Sequence, residues 1–341
     1  MVVPKKSLQP TIRDVAAKAG VSKSLASLAL RGDPRVAEPS RRAVTSAAER
    51  LGYRPNAMAR SLGEGRTNVL GVLVEDLHNP FFADVFDGIQ ERAQQLGFRA
   101  LLSSGNRRSL HEELMLDTLL DLRVDGLILL SQSMSASTLR QAAASVPVAV
   151  IGKPRSGVVG VDLVDTDDVS GMRLAVEHLA GLGHSDVAFV AGPRSAGALG
   201  RRRAFSEAVA AHDDLHELPP EPAGDVTEAS GAAAGRRLLE RSRVPTAVVA
   251  MNDQLAIGVL GAVAAAGLEV GRDLSVIGYD NSSLSALPQI ALTTLNQPRF
   301  EIGQRAVTSI HARVAGARQR VTRTLLQPAL VVRGTTGAPR S

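Results

Sequence analysis

The 341-residue sequence has no cysteine and no tryptophan, and its aromatic residues are seven phenylalanines and two tyrosines. Without thiols there can be no disulfide, thiolate nucleophile, zinc finger or iron–sulfur cluster. So few rings leave nothing on which the bases of a single strand could stack, and they exclude a sugar site built on tryptophan. There is no Gly-x-Ser-x-Gly elbow. His111-Glu112-Glu113 lacks the second histidine of a zinc-protease helix. His178 and His184 flank Gly181-Leu182-Gly183 at an expected helix end and read as capping or exposed groups, not metal ligands. No cofactor, no metal and no enzymatic activity are expected. The first residues, Met-Val-Val-Pro-Lys-Lys, lack the apolar core of a secretory signal. The longest apolar runs fall well short of a bilayer span. A cytoplasmic chain with no membrane partner is the expectation.

What is present is concentrated at residues 11–62. Thr11 followed by Asp14 is an acidic variant of the capping box and predicts a helix start. Ile12, Val15, Ala16 and Ala19 give that helix one apolar stripe, and Gly20 can take the positive φ that ends it. Ser22 caps a second helix, expected over about Lys23–Leu30. A third, roughly Glu38–Leu51, carries Val44, Ala47, Ala48 and Leu51 inward and Arg41, Arg42 and Arg50 outward. Two short helices at a steep angle, braced by a third, let the second lie in the major groove. A plain three-helix bundle is the alternative. Residues 1–64 hold 12 Lys/Arg against 5 Asp/Glu, whereas the rest hold 27 against 29. The whole cationic excess therefore sits in the N-terminal fifth, as a phosphate-binding module requires.

Beyond residue 64, apolar β-rich runs alternate with helical patterns. Strands are expected at 69–74, 99–103, 126–130, 148–151, 158–163, 187–191, 247–250 and 274–279. Helices are expected at 84–96, 111–122, 138–145, 203–211, 231–241, 253–266 and 299–314. Such alternation predicts parallel sheets covered on both faces. Two sheets of five or six strands are more natural than one of twelve, and two doubly wound halves leave a crevice at the carboxyl ends of their strands. The expected fold class is thus an all-α helix-turn-helix domain followed by an α/β core of two subdomains, each a doubly wound parallel sheet.

The motifs Thr-Ile-Arg-Asp-Val-Ala (11–16), Ala-Gly-Val-Ser (19–22), Arg35-Val36, Leu-Gly-Tyr-Arg-Pro-Asn (51–56) and Ala-Arg-Ser-Leu (59–62) resemble the DNA-binding end of the LacI/GalR family of bacterial transcription regulators. The similarity continues to about residue 336. It implies a helix-turn-helix domain at 1–55, a hinge helix and linker at 56–65, and a periplasmic-binding-protein-like effector domain at 66–341. In that domain, 66–163 with 298–324 would form one subdomain and 164–297 with 325–341 the other. The chain would pass between them near Leu163–Asp165, Thr294–Gln297 and Thr324–Gln327. DNA contacts are implied for Thr11, Ser22, Lys23, Ser24, Ser27, Leu28, Arg31 and Tyr53 in the head, and for Asn56, Arg60, Ser61 and Leu62 in the hinge. A wedge at Leu62 would unstack a base step from the minor groove. The alternative makes Asn56–Gly63 a plain linker.

One departure bears on specificity. The family pattern Thr-Val-Ser-Arg is here Leu25-Ala26-Ser27-Leu28, so an arginine suited to guanine is replaced by an apolar side chain. The resemblance further implies effector contacts by Phe81, Phe82, Asp167, Arg201, Asn252, Asp253 and Asp280. Asp167 and Asp253 could instead be helix caps, and Phe82 suits a ligand better than Phe81. Arg202 and Arg203 compete with Arg201 because the loop 194–200 reads one residue short. Val226 stands where some relatives place an aromatic lid. A polyhydroxylated ligand, near-palindromic double-stranded DNA and a second copy of the chain are the implied partners. The dimer surface would lie near Asp84–Gln95 and Leu110–Leu120. A sequence-specific regulator, most naturally a repressor controlled by a sugar-like effector, is the expected function. A periplasmic solute-binding protein is the alternative, although it would have no use for residues 11–62.

Overall fold

A computed structural model describes residues 10–53, 66–130, 134–154, 158–193, 195–318 and 320–340. The chain forms two compact units, 1–67 and 68–341, called head and core below.

The head is three helices, α1 (Ile12–Ala19), α2 (Lys23–Leu30) and α3 (Glu38–Leu51). Asp14 closes the first turn by accepting from the Thr11 amide at 2.8 Å and the Thr11 hydroxyl at 2.7 Å. Gly20 ends α1 at φ 70°, and the Ser22 hydroxyl caps α2 by accepting from the Leu25 amide at 3.1 Å. Val15, Ala16, Ala26, Ala29, Val44, Ala47 and Ala48 make a small buried core. Alanines on facing helices let the backbones approach closely enough to close a unit of this size. Arg41 does not point outward as expected. It is half-buried and donates to the carbonyls of Asp33 (3.0 Å) and Val36 (3.2 Å), fixing the turn between α2 and α3.

The core contains two sheets. The first, in the order β12-β5-β4-β3-β1-β2, uses β1 (Val69–Val74), β2 (Arg99–Ser104), β3 (Gly126–Leu130), β4 (Val148–Ile151), β5 (Asp162–Thr166) and β12 (Arg323–Leu326), all parallel. The second, in the order β13-β11-β10-β9-β6-β7, uses β6 (Asp186–Ala191), β7 (His216–Glu217), β9 (Ala247–Ala250), β10 (Ser275–Asp280), β11 (Thr293–Asn296) and β13 (Ala329–Val331). A short β8 (Glu221–Pro222) also pairs with β6. Among the described strands only the β11–β13 pair is antiparallel. Central strands such as Gly-Leu-Ile-Leu-Leu and Ala-Val-Val-Ala are buried along their whole length because helices cover both faces.

On the first sheet, α4 (Pro80–Gln95) and α11 (Arg299–Val314) cover one face, and α5 (Ser109–Asp121) and α6 (Ala136–Ser145) the other. On the second, α7 (Asp168–Gly181) and α8 (Ala196–Val209) lie opposite α9 (Glu228–Leu239) and α10 (Asp253–Ala265). The last helix thus returns to the first lobe, placing late sequence beside early sequence.

Several expected boundaries shift. A strand was expected at 158–163, but β5 runs from Asp162 to Thr166. The expected division at residue 164 therefore falls inside a first-lobe strand. Likewise β12 holds 323–326 in the first sheet, two residues past the expected change at 325. In both places alternating polar residues (Asp162, Asp165, Thr166, Arg323, Thr324) hide a strand that lies toward or at the sheet edge. Residues 158–161 lie in a loop. Helix α8 begins seven residues before the expected Arg203, because its first turn is Ala-Gly-Ala-Leu-Gly behind the Ser195 cap.

In each lobe one helix pair crosses on glycines. A Cβ on Gly88 of α4 would sit 2.1 Å from the Phe300 carbonyl oxygen, and one on Gly303 of α11 would sit 2.2 Å from that of Val85. Gly231 and Gly258 do the same for α9 and α10. The obstacle is backbone, so Gly303→Ala should cost about 1–3 kcal/mol of core stability. Gly261→Ala, on an exposed helical position with nothing within 4 Å, should be neutral or stabilising by up to about 1 kcal/mol. Denaturant melts of the two variants measure the contrast, and equal effects would contradict the crossing argument.

Candidate functional site

Two surfaces carry chemistry. On the head, Ser22, Lys23 and Ser24 at the start of α2 are exposed together, as is Arg31 just past its end. Ser27 and Leu28 are half-buried, and Leu28 packs against the head core, so it is not fully on the open face as the sequence implied. Tyr53 also packs on that core, and the Thr11 hydroxyl is engaged by Asp14. The expected hinge residues Asn56, Arg60, Ser61 and Leu62 lie outside the described residues.

In the core, a cavity of about 470 Å³ opens between the two lobes at the carboxyl ends of the strands. Phe81, Phe82, Arg201, Asn252 and Asp280 all line it. Asp167 and Asp253 do not. Asp167 is the N-cap of α7, accepting from the Ser170 amide and hydroxyl and from Gln327. Asp253 is buried beneath the β10 loop, accepting from the Ser282 amide (2.7 Å) and hydroxyl (2.9 Å) and from Thr294 Oγ1 (2.5 Å). Phe81 and Phe82 are both almost fully buried and meet edge-on at 5.4 Å between centroids, so they wall the cavity and are also core.

The electrostatic centre of the cleft is Asp168, one residue beyond the expected Asp167. It is 3 % exposed at its side chain. It accepts from Lys153 Nζ (2.5 Å), Arg201 Nε (3.1 Å) and Tyr279 OH (2.7 Å). Burial opposes its charge, but Arg201 and Lys153 outweigh burial and hold its carboxyl below the usual range. Burial, and after it the Asp168 carboxylate, raise the Tyr279 hydroxyl well above its ordinary value against the pull of Arg201. Arg201 lies flat on the Tyr279 ring, 3.8 Å from its centroid, and donates to the Met251 carbonyl at 2.9 Å. Burial disfavours its charge, yet Asp168, Tyr279 and Asp280 more than restore it. Its neighbours make no such network here: Arg202 bonds Ser206 and Glu217, and Arg203 bonds Glu207 along the exposed side of α8.

Asp280 ends β10 with φ 121°, a conformation that an L residue adopts only when its surroundings impose it. Its Oδ1 accepts from Gln297 Nε2 at 2.7 Å, and Arg201 Nη1 stands 3.9 Å away. Burial pushes its carboxyl up to about 7, Arg201 pulling down and Asp253 pushing up. Gln297 also accepts from Thr166 Oγ1 at 2.7 Å. It therefore ties the β5–α7 passage to the β11–α11 passage directly beside the site. Two ion pairs bridge the lobes across the cavity: Lys153 with Asp168, and Arg107 with Asp225 (2.6 Å). Arg107 adds the Val226 carbonyl (3.1 Å) and, within its own lobe, Asp76 (2.6 Å).

Glu75, Arg107, Lys153, Asp165, Asp168 and Gln297 line the cavity and were not singled out in the sequence. For most of them a signal existed: each ends or follows a strand whose carboxyl end opens on the crevice. Arg107 lacked one, since its reach across the cleft follows from two successive left-handed residues, Asn106 and Arg107 at φ 50° and 57°.

A three-helix head with a basic recognition surface, on a chain whose remainder is a two-sheet ligand cleft, defines a DNA-binding regulator with a small-molecule sensor. Residues 11–56 match the family of bacterial regulatory proteins, lacI family, and residues 176–336 match the periplasmic binding protein-like domain. The chain is 32 % identical over 338 residues to the HTH-type transcriptional regulator DegA of Bacillus subtilis, covering 96 % of this chain and 98 % of that one. Among solved structures it is similar to the lac repressor dimer bound to operator and the anti-inducer ONPF (30 % identity, TM-score 0.85, 97 % and 100 % of the two chains). It is similar also to a LacI family regulator from Enterococcus faecium with bound ribose (28 %, 0.71, 79 % and 99 %). The chain belongs to the lacI family and is a transcriptional regulator; the periplasmic alternative is not favoured, because the head matches that family by itself. No helix among the described residues is long and apolar enough to cross a membrane.

The Asp280 carboxyl has a pH consequence. A carboxyl raised from about 4 to about 7 on folding adds stability at low pH that is lost as pH rises through 7. Asp280→Asn, which keeps the acceptor for Gln297, should therefore gain on the wild type as pH is raised from 5 to 8. Thermal melts across that range test it; a constant offset would show that Asp280 does not titrate there.

Proposed function

We propose that the chain is a repressor that binds near-palindromic operator DNA as a homodimer and is controlled by a polyhydroxylated small molecule held between its lobes. The observation that carries the ligand half is the Asp168–Arg201–Tyr279 assembly. It aims a guanidinium into a cavity of monosaccharide size, with Asn252 and Asp280 on the same wall. Arginine and carboxylate groups converging on one small cavity suit a ligand that both donates and accepts hydrogen bonds. The ribose-bound relative supports this class. The operator-bound dimer of the lac repressor supports the DNA half, as do the exposed Ser22, Lys23 and Ser24. Leu110 and Leu114 on α5, 82 % and 60 % exposed, are apolar enough to belong to a dimer contact. A regulator of this kind works in the cytoplasm, where its operator is.

In this reading Lys23 and Ser24 touch base edges, and Asn56, Arg60, Ser61 and Leu62 form a hinge that folds on DNA, with Leu62 as the minor-groove wedge. Ligand changes the angle between the lobes and so the folding of the two hinges. Only a difference in affinity for the two arrangements can drive this.

Leu28 sets an expectation for sequence preference. Half-packed on the head core, it can give a base pair only apolar contact, such as to a thymine methyl. Selection from a random palindrome library at moderate salt should return a defined operator. Leu28→Arg should move the preferred base at one half-site position toward guanine. No preference over random duplex would overturn the proposal, and identical half-sites for both proteins would remove Leu28 from the contact set.

A further inference from the structure

The two ends of the cavity are electrically unlike. At the Arg201 end, Asp165, Asp168 and Asp280 face Arg201 and Lys153, and the cations bond or approach Asp168 and Asp280 directly. At the other end Glu75, Asp76 and Asp225 lie near one guanidinium, Arg107, with His78 also against Asp76. Arg107 bonds Asp76 and Asp225. Among the described residues no cation comes within ion-pair distance of Glu75, which is half-buried, lines the cavity and makes no side-chain hydrogen bond. The cavity also holds a buried group that waits for a partner. Asn252 is 3 % exposed and its Oδ1 accepts from the Leu255 amide at 3.1 Å, while its Nδ2 has no acceptor among the described residues. A ligand can therefore accept at Asn252 and meet the carboxyl of Glu75, which has no ion-pair partner among the described residues.

Resting on the reading of this cavity as the effector site, we infer that the effector is an amino sugar or amino polyol whose protonated amine sits against Glu75 while its hydroxyl groups meet Arg201, Asn252 and Asp280. An ammonium is a compact donor of three hydrogen bonds and restores the balance that Arg107 alone leaves unmet. A neutral sugar offers the Glu75 carboxylate no counter-ion, so it forgoes the charge-assisted hydrogen bond that an ammonium makes. Burial, with Glu112 the next cause, pushes the Glu75 carboxyl up to about 7 against the pull of Arg107. In the empty protein it is therefore protonated at mildly acidic pH. An entering ammonium displaces that proton to solvent, so binding tightens as pH rises toward 7 while the amine stays charged.

Calorimetry on the full-length dimer with two matched pairs, D-glucosamine against D-glucose and glucamine against sorbitol, at pH 5.5 and 7.0, tests this. The amine member of at least one pair should bind about tenfold tighter than its neutral partner, more so at pH 7.0, with a binding heat that changes with buffer ionisation enthalpy as proton release requires. Glu75→Gln should abolish the amine preference. Glu240→Gln, exposed at the end of α9 and outside the cavity, should keep it, and unchanged melting of both empty variants would exclude misfolding. The inference is overturned if the neutral members bind as well or better, if neither amine binds, or if the preference survives Glu75→Gln. Neutral binding that disappears in Arg201→Met would leave the cavity as the effector site and remove only the amine. Operator selection tests the regulator separately.

Discussion

Asp168 is a carboxylate taken almost wholly out of water, which by itself costs several kcal/mol. It persists because three donors from separate parts of the chain converge on it: Lys153 after β4, Arg201 in α8 and Tyr279 in β10. Lys153 comes from the first lobe and the others from the second, so one charge both orients the ligand-facing guanidinium and holds the lobes together. Removing any donor would leave the rest aimed at a poorly compensated buried ion. The bridged cleft, the position of Arg201 and the ring beneath it are thus a single electrostatic arrangement.

The remainder of the core supports that arrangement. Fully buried parallel strands place their carboxyl ends on one rim, where Glu75, Lys153, Asp165 and Asp280 emerge in turn. Glycine-lined crossings of α4 with α11 and of α9 with α10 let helices lie close enough to seal the faces of the sheets. The strained backbone at Asp280 fits the same logic: a residue kept at φ 121° with its carboxyl pinned by Gln297 is held for what it faces, not for local stability.

Much of this was legible in the residues. Continuous apolar runs at Val69–Val74 and Ala247–Ala250 named the central strands, and the Thr11–Asp14 spacing named the first helix, because each signal is local. What escaped was whatever depends on distant partners. β5 reads too early in the chain and β12 reads as a crossing point, because both strands alternate polar residues. Asp167 and Asp168 are indistinguishable in sequence, and only the helix start assigns one to a cap and the other to the cleft. Asp253 looked like a ligand group yet spends its oxygens on Ser282 and Thr294. Arg41 looked like an outward-pointing cation yet closes a turn inside the head.

Among the described residues the chain passes between the lobes three times, and glutamines fasten the passages: Gln297 binds Thr166 of one and Asp280 beside the rim, and Gln327 binds Asp167. Plates joined by three straps in a row can neither slide nor rotate about an arbitrary axis; their softest motion is bending about the line of the straps. Leverage then grows with distance from that line. A weak contact far out along the opening would bias the angle more than a strong one near the glutamines, and this asymmetry is built in by connectivity alone.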